Sequence, residues 1–312
     1  MSRVFKYSSD NKRYHTLNYH NYAVFGQKVF KAVIDCGFTC PNADGTKGYG
    51  GCIFCDGGSG YFTHPGISVT GQLHSEMERI VSKTGKKVPV IAYFQANTNT
   101  YAPVNVLRKL FYEALSYPGI CGISIGTRAD CLPPDVLDLL SELSCKTALT
   151  VELGMQSVHE NTISAINRGY THKEFLKGYF ALKERGIRTC LHIINGLPGE
   201  TVDMMLETAR QTALLAPDAV KLQMLHVIRG TALEKLFLQG EFQLLSRDEY
   251  ISIIVKQLEL LPPETVIERI TGDGDRNKLV APMWSADKIA VLGGIDKKLA
   301  ELDSYQGKNF PR

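Results

Sequence analysis

The chain has 312 residues, of which 44% are hydrophobic and 21% charged, and its formal net charge is +3. This composition is typical of a globular protein and excludes wholesale disorder, and the length fits either two domains or one α/β barrel. No apolar run reaches the roughly 20 residues that cross a bilayer, and no secretory signal begins the chain, so we expect a cytoplasmic protein with no membrane partner.

The first 31 residues are both basic and aromatic. They carry six Lys or Arg residues against the single acidic residue Asp10, interleaved with seven Tyr and Phe residues. Phosphates pair with cations and bases stack on aromatic rings, so this composition suits a strand of RNA. The alternative is an arm whose aromatic side chains dock on the rest of the chain. We predict that residues 1–24 form a basic, aromatic N-terminal arm.

Apolar, β-branched runs alternate with helix-like segments along most of the chain. Near-continuous apolar runs indicate strands that are buried on both faces, as in parallel sheets. Six strand–helix repeats predict an α/β fold in which a parallel sheet with right-handed crossovers forms an open (β/α)6 barrel of the TIM type. The predicted strands cover residues 29–35, 88–94, 119–126, 147–153, 188–194 and 219–225.

Two further signals mark the end of the repeats. Ser246 followed by Glu249 has the spacing of a capping box, which predicts a last helix of the repeat pattern. The Pro262-Pro263 pair then marks a boundary. We therefore expect a core barrel over residues 25–262 and a C-terminal extension over residues 263–312 that packs on it.

Polar or glycine-rich segments follow all six predicted strands. In a β/α barrel the carboxyl ends of the strands form the active-site face. Six such segments on one face predict a large site at the mouth of the barrel, although ordinary surface loops are the alternative. The segments are residues 36–55, 94–103, 126–130, 152–157, 195–201 and 226–231.

The segment after the first strand contains four of the eight cysteines, Cys36, Cys40, Cys52 and Cys55. Thiolates bind zinc and iron, and a Cys-x-x-Cys turn presents two sulfurs to one centre. All four could form a closed zinc or iron–sulfur site. Alternatively, Cys36 ends the buried strand, and the other three leave one iron of a cubane cluster open to a ligand. The position on the predicted active-site face disfavours a closed structural site.

Five motifs stand in the segments that follow the predicted strands, namely CPNADGTKGYGGCIFC, YFQANTNTYAP, SIGTRADCLP, VELGMQS and HIINGLPGET. In these motifs the sequence resembles the radical S-adenosylmethionine (SAM) superfamily and, within it, the YtqA-like subfamily related to the elongator catalytic subunit. The resemblance extends from about Tyr14 to Lys288, and it implies a partial barrel of the radical SAM type. The cysteine spacing departs from the common C-x3-C-x2-C pattern by a long insertion that is typical of this subfamily.

The resemblance implies two cofactors. A [4Fe–4S] cluster would be held by Cys40, Cys52 and Cys55, while the position of Cys36 is not a required cysteine in the family pattern. SAM would bind the open iron and be reductively cleaved to a 5′-deoxyadenosyl radical. The electron would come from a one-electron reductant such as flavodoxin or ferredoxin.

The resemblance also implies contacts to SAM. Gln95, Asn97 and Thr98 occupy the position where the superfamily holds the methionine amino group. Ile194 and Gly196 match the strand motif that contacts adenine.

Glu152 and Gln156 are placed to bond the ribose hydroxyls, and Arg168 to meet the SAM carboxylate or a phosphate. The alternative for Glu152 is a structural ion pair, for instance with Arg128. The alternative for Arg168 is a cap at the end of a helix before Gly169. No catalytic residue beyond these is assigned.

The function that the resemblance implies is transfer-RNA maturation. The specific reaction would convert a 5-carboxymethylaminomethyl wobble uridine to the 5-aminomethyl form. Two alternatives stay open from the residues alone. One is the same radical chemistry on a small metabolite, and the other is a non-catalytic, zinc-stabilised RNA-binding protein.

Overall fold

A curled sheet of seven parallel strands forms the centre of the molecule. The computed structural model describes residues 5–57, 65–95, 97–272 and 277–311. The strand order in the sheet is β1-β2-β3-β4-β5-β6-β8, and β7 pairs with β9 in a separate antiparallel ribbon. The strands are β1 (Phe30–Ile34), β2 (Val90–Phe94), β3 (Ile120–Thr127), β4 (Ala148–Gln156), β5 (Thr189–Asn195), β6 (Ala219–Met224), β7 (Val227–Ile228), β8 (Val266–Arg269) and β9 (Leu279–Ala281).

Helices connect successive strands and cover the outer face of the sheet, where their apolar sides join one continuous core. No helix within the described residues is both long and apolar enough to cross a bilayer. The helices are α1 (Leu17–Phe25), α2 (Val69–Thr84), α3 (Val104–Leu115), α4 (Pro134–Ser144), α5 (Glu160–Ala165), α6 (His172–Lys183), α7 (Val202–Leu215), α8 (Ala232–Leu238), α9 (Arg247–Leu260) and α10 (Lys288–Glu301).

The predicted fold class is confirmed, and all six predicted strands are present and pair in sequential order. The predicted capping box is also confirmed, because Ser246 and Glu249 bond each other's backbone at the start of α9. The sheet differs from the prediction in having a seventh strand. β8 lies among the residues expected to form the C-terminal extension, and it pairs in parallel with β6.

The N-terminal residues pack against the C-terminal part of the chain. Phe5 and Tyr14 are each only 5% exposed. The amide of His15 donates to the Gln306 side chain, and the amide of Ile267 donates to the His15 carbonyl. The docked-arm alternative therefore describes these aromatic side chains, and they do not offer a stacking surface for bases.

Candidate functional site

A cavity of about 310 Å³ opens at the carboxyl ends of the sheet strands, where the polar loops were predicted to meet. Cys40, Cys52 and Cys55 line it, together with residues from β2, β3, β4, β5, β6 and β8 and from the loops that follow β2, β3 and α5. Two larger cavities, of about 860 and 880 Å³, lie among outer helices and loops, and neither contains any of these three cysteines.

The cysteine loop is attached to the turn that follows α5 by hydrogen bonds in both directions. The Asn42 side chain donates to the Asn167 carbonyl at 2.6 Å. The Asn167 side chain donates in return to the Gly51 carbonyl at 2.7 Å. The amide of Ile53 donates to the Ile166 carbonyl at 3.0 Å. Backbone and amide groups therefore hold the loop against the turn that follows α5.

Asn42 sits in a space that two glycines provide. It is fully buried. A Cβ on Gly48 would lie 2.4 Å from Asn42 Oδ1, and a Cβ on Gly169 would lie 2.0 Å from the same atom. Gly169 also has φ +78°, a conformation that side chains with a Cβ rarely adopt. No other residue type fits at these two positions while Asn42 stays in place.

The three thiols suit an iron–sulfur cluster chemically. Burial raises the pKa of Cys52 to about 12 and also raises the pKa of Cys55, so these sulfurs become thiolates when a metal replaces their protons. Nitrogen donors lie nearby. Arg128 Nη1 is 4.0 Å from Cys40 Sγ, and Asn42 Nδ2 is 3.9 Å from Cys52 Sγ. Such N–H···S contacts stabilise the reduced cluster.

Cys36 differs from the other three cysteines of the loop. It follows β1, packs against the hydrophobic core, and does not line the cavity. Burial raises the pKa of its thiol to about 12. Among the residues that the structure describes, no three Cys, His, Asp or Glu side chains converge on a single metal ion.

The structure places most of the predicted SAM contacts around the same cavity. Those that line it are Gln95, Asn97, Thr98, Glu152, Gln156, Arg168 and Ile194. Asn97 and Gln156 have φ +57° and +58°. Gly196 does not line the cavity. It lies beside Leu245 and borders a separate small pocket.

Arg168 carries an unsatisfied donor into this region. Its side chain is nearly inaccessible and stacks on the Tyr170 ring, with the guanidinium carbon 4.3 Å from the centroid. Nη1 donates to the Met155 carbonyl at 2.6 Å and Nε to the Tyr170 carbonyl at 3.1 Å. Nη2 is buried without a partner. A buried cationic donor without a partner is costly.

Glu152 is not free to bond a ribose. Oε1 accepts from Lys31 Nζ at 2.8 Å, and Oε2 accepts from Tyr93 at 2.6 Å, from His192 Nε2 at 2.8 Å and from Lys221 Nζ. The lysines outweigh burial and hold the pKa of this carboxyl well below its usual range. The alternative of a structural ion pair therefore describes Glu152.

The partner suggested for that ion pair was wrong. Arg128 bonds Asp130 in a bidentate pair at 2.9 and 3.0 Å, and its Nη1 donates to the Arg168 carbonyl. The two charges that meet Glu152 come instead from strands β1 and β6. Asp130 also pairs with Lys47 of the cysteine loop at 2.7 Å, so Arg128 helps to hold that loop.

The sequence analysis missed several cavity residues, most of which lie inside predicted strands, while Arg269 lies in the predicted C-terminal extension. These are charged or polar side chains in otherwise apolar runs, where a lysine is almost never buried without a partner. A charged or polar residue within an apolar run was therefore the sequence signal that could have identified them. The missed residues lining the cavity are Tyr93, His192, Lys221, Gln223 and Arg269.

Comparison with protein families gives two matches. A model described as the radical SAM superfamily matches residues 46–212, and a model described as the radical SAM C-terminal domain matches residues 217–301. Protein YtqA of Bacillus subtilis, which is described as uncharacterized, is 49% identical over 310 residues. That alignment covers 99% of this chain and 96% of the relative.

Elongator complex protein 3 is a more distant relative. The mouse protein is 30% identical over 174 residues, which are 54% of this chain and 31% of the relative. The solved structure of archaeal Elp3 from Methanocaldococcus infernus matches with a TM-score of 0.65 at 19% identity. It covers 86% of this chain, which spans 63% of that structure. At this identity the structural match supports the fold alone.

Proposed function

The chain belongs to the radical SAM superfamily, and from that membership we propose that it matures transfer RNA. The proposed reaction removes the carboxymethyl group of a 5-carboxymethylaminomethyl wobble uridine and leaves the 5-aminomethyl form. The observation that carries the proposal is the similarity to elongator complex protein 3 over 174 residues, because the subfamily resemblance implies work on transfer RNA. We also propose that the enzyme acts in the cytoplasm.

The cofactors of the family are a [4Fe–4S] cluster and SAM. When bound, they supply a 5′-deoxyadenosyl radical that abstracts a hydrogen atom from the substrate. We propose Cys40, Cys52 and Cys55 as the cluster ligands, with flavodoxin or ferredoxin as the electron donor. Arg168 would bind the SAM carboxylate through Nη2, the buried donor without a partner.

The remaining cavity walls supply orientation and exclude water. Ile194 presents an apolar side chain suited to the adenine face, and Asn97 and Thr98 line the side toward the cysteine loop. A carbon-centred radical reacts with nearly any C–H bond, so a closed, well-ordered wall limits side reactions.

A second candidate is the same chemistry on a small metabolite. The observation that favours it is the burial of Phe5 and Tyr14, which removes these two aromatic rings of the arm as RNA-stacking surfaces. A non-catalytic zinc protein is no longer a candidate, because the chain is a radical SAM enzyme.

The experiment is an anaerobic assay with the reconstituted, dithionite-reduced enzyme and SAM. The substrate is transfer RNA that carries the carboxymethylaminomethyl nucleoside, and digested nucleosides are measured by mass spectrometry. We expect this nucleoside to decrease and the aminomethyl nucleoside to increase, together with 5′-deoxyadenosine. Deoxyadenosine formation without any change in the nucleosides would reject the transfer-RNA substrate and favour a small metabolite.

Variants of the cysteines accompany this assay. Cys40→Ala, Cys52→Ala and Cys55→Ala are each expected to lose most of the bound iron and all deoxyadenosine formation. Cys36→Ala is the matched control and should keep both, because Cys36 does not line the cavity. Iron loss in Cys36→Ala would contradict the three-ligand assignment.

A further inference from the structure

The floor of the cavity is formed one layer deeper than the residues proposed for SAM. His192 and Lys221 are partners in register on β5 and β6, and Ile194 and Gln223 are partners two residues further along. Two residues of a strand span about 7 Å. His192 and Lys221 therefore lie below the level of Ile194, on the side away from the cysteine loop. A substrate group that reaches the floor of the cavity would meet these side chains first.

His192 keeps one nitrogen available to the cavity. Nε2 is 2.8 Å from Glu152 Oε2, while no described residue bonds Nδ1. The side chain is 24% exposed, and since the residue lines the cavity, the exposed part faces it. Glu152 is ionised and can only accept at this contact, so the proton of a neutral His192 ring is on Nε2. Nδ1 is then a hydrogen-bond acceptor.

The surroundings keep this ring neutral at physiological pH. Burial and the nearby Lys221 ammonium outweigh the Glu152 carboxylate and lower the pKa of His192 from 6.5. The groups that face the ring or its carboxylate partner are Glu152 on β4, Lys221 on β6, Arg269 on β8, Lys31 on β1 and Tyr93 on β2.

We propose that His192 Nδ1 accepts a hydrogen bond from an N–H group on the reacting arm of the substrate, with Glu152 as the positioning residue that fixes the ring. This inference rests on the proposed function, in which the secondary amine of the carboxymethylaminomethyl group is that N–H. The neighbouring Lys221 and Arg269 carry positive charge, which suits an arm whose amine is followed by a carboxylate. A purely cationic arm would be repelled there.

The test compares two nucleosides on the SAM-loaded holoenzyme by calorimetry. One is 5-carboxymethylaminomethyluridine, whose secondary amine is protonated at pH 7.5, and the other is its N,N-dimethyl analogue, which keeps the positive charge but has no N–H. We expect the wild type to bind the amine about five- to tenfold more tightly at pH 7.5, as one hydrogen bond contributes. The preference should shrink at pH values below the lowered pKa of His192, because a protonated ring donates at Nδ1 and no longer accepts.

Two variants separate recognition from structure. His192→Gln keeps an N–H for Glu152 but does not titrate, so the acidic loss of amine affinity should vanish. His192→Phe removes the acceptor, and the amine preference should fall to about one, with folding checked by thermal unfolding. His74→Gln is the matched control, because His74 lies on α2 with its side chain 64% exposed.

Three results would overturn the proposal. These are equal affinity of the wild type for both nucleosides, a loss of amine affinity at acidic pH that persists in His192→Gln, and an unchanged preference for the amine in His192→Phe. If neither nucleoside binds, the proposed substrate is rejected, and ¹⁵N spectra of the histidine rings decide the rest. A neutral His192 with its proton on Nε2 at pH 7 supports the acceptor, whereas a charged ring or a proton on Nδ1 overturns it.

Discussion

Glu152 accepts four hydrogen bonds in the interior of the sheet, and its neighbours depend on its charge. Its side chain is fully buried, and that of Lys221 is only 4% exposed. Both ions lose hydration on folding, and each compensates the other. These ion pairs fix the arrangement of the side chains more than they add to net stability, because an apolar core of the same volume would not carry this desolvation cost.

Removing one charged side chain from this group of ion pairs should lower the free energy of unfolding by far more than the intact pair contributes to it. Lys221→Met leaves Glu152 with one lysine instead of two, and we expect a loss of about 3–5 kcal/mol in the free energy of unfolding. Urea denaturation measures it. The control is Lys146→Met, which removes an exposed lysine from its contact with Glu142 and should leave the midpoint almost unchanged. A similar midpoint shift in both variants would contradict the assigned cost.

At the scale of residues, the sequence predicted the cysteines but not the floor of the cavity. A Cys-x-x-Cys pair is local and specific, so Cys52 and Cys55 could be recognised without a fold. Lys31, His192 and Lys221 come from three strands that are distant in sequence. Their grouping depends on strand order and register, which no local pattern encodes.

At the scale of elements, the turn after α5 controls the position of the cysteine loop. Gly169→Ala would bring a Cβ to 2.0 Å from Asn42 Oδ1, and it would force an alanine into the left-handed backbone conformation of Gly169. We expect Asn42 to be displaced and the protein to bind clearly less iron on reconstitution. Measuring iron per chain together with the melting temperature separates loop displacement from general unfolding.

Gly186→Ala provides the comparison for that variant. Gly186 has φ +65°, but a Cβ there meets nothing within 4 Å. The Gly186→Ala variant should lose only about 1–2 kcal/mol of unfolding free energy through backbone strain, and it should keep its full iron content. Iron loss of equal size in both variants would show that backbone strain, and not the contact with Asn42, is responsible.

Elements with a strong local pattern were predictable, whereas the place of a short strand-like run such as TVIERI in the sheet was not. The six apolar strands and the α9 capping box follow from periodicity and spacing. β8 has only four residues, Val266–Arg269, and two of them are charged. β8 belongs to the sheet because it pairs with β6, and a prediction made segment by segment cannot detect that pairing.

At the scale of the whole molecule, stability should depend on pH through buried histidines. Burial, aided by Arg188, lowers the pKa of His20 to about 4, and burial with the Lys288 charge lowers the pKa of His226 to about 4. Both are neutral in the folded state. Between pH 6.5 and 4 the unfolded chain binds more protons, so stability falls as the pH decreases through this range.

Calorimetric melting from pH 8 to pH 4 tests this dependence. We expect a flat melting temperature above pH 7 and a steady decrease below 6.5. The loss of stability with decreasing pH continues below pH 4.5, because the pKa values of Glu152 and Glu268 are lowered in the folded state. The double variant His20→Gln, His226→Gln should flatten the upper part of the decrease, and an unaltered slope would count against these two groups.

The ion pairs at the floor also close the wall of the barrel. β1 and β8 are the two edges of the sheet and do not pair with each other within the described residues. Lys31 of β1 reaches Glu268 of β8 at 2.9 Å across this opening. The wall is therefore mechanically uneven. Widening it anywhere else breaks a ladder of backbone hydrogen bonds within the sheet, whereas β1 and β8 are joined to each other at this seam through side chains, and residues 15 and 16 bond the backbone of β8 at Ile267.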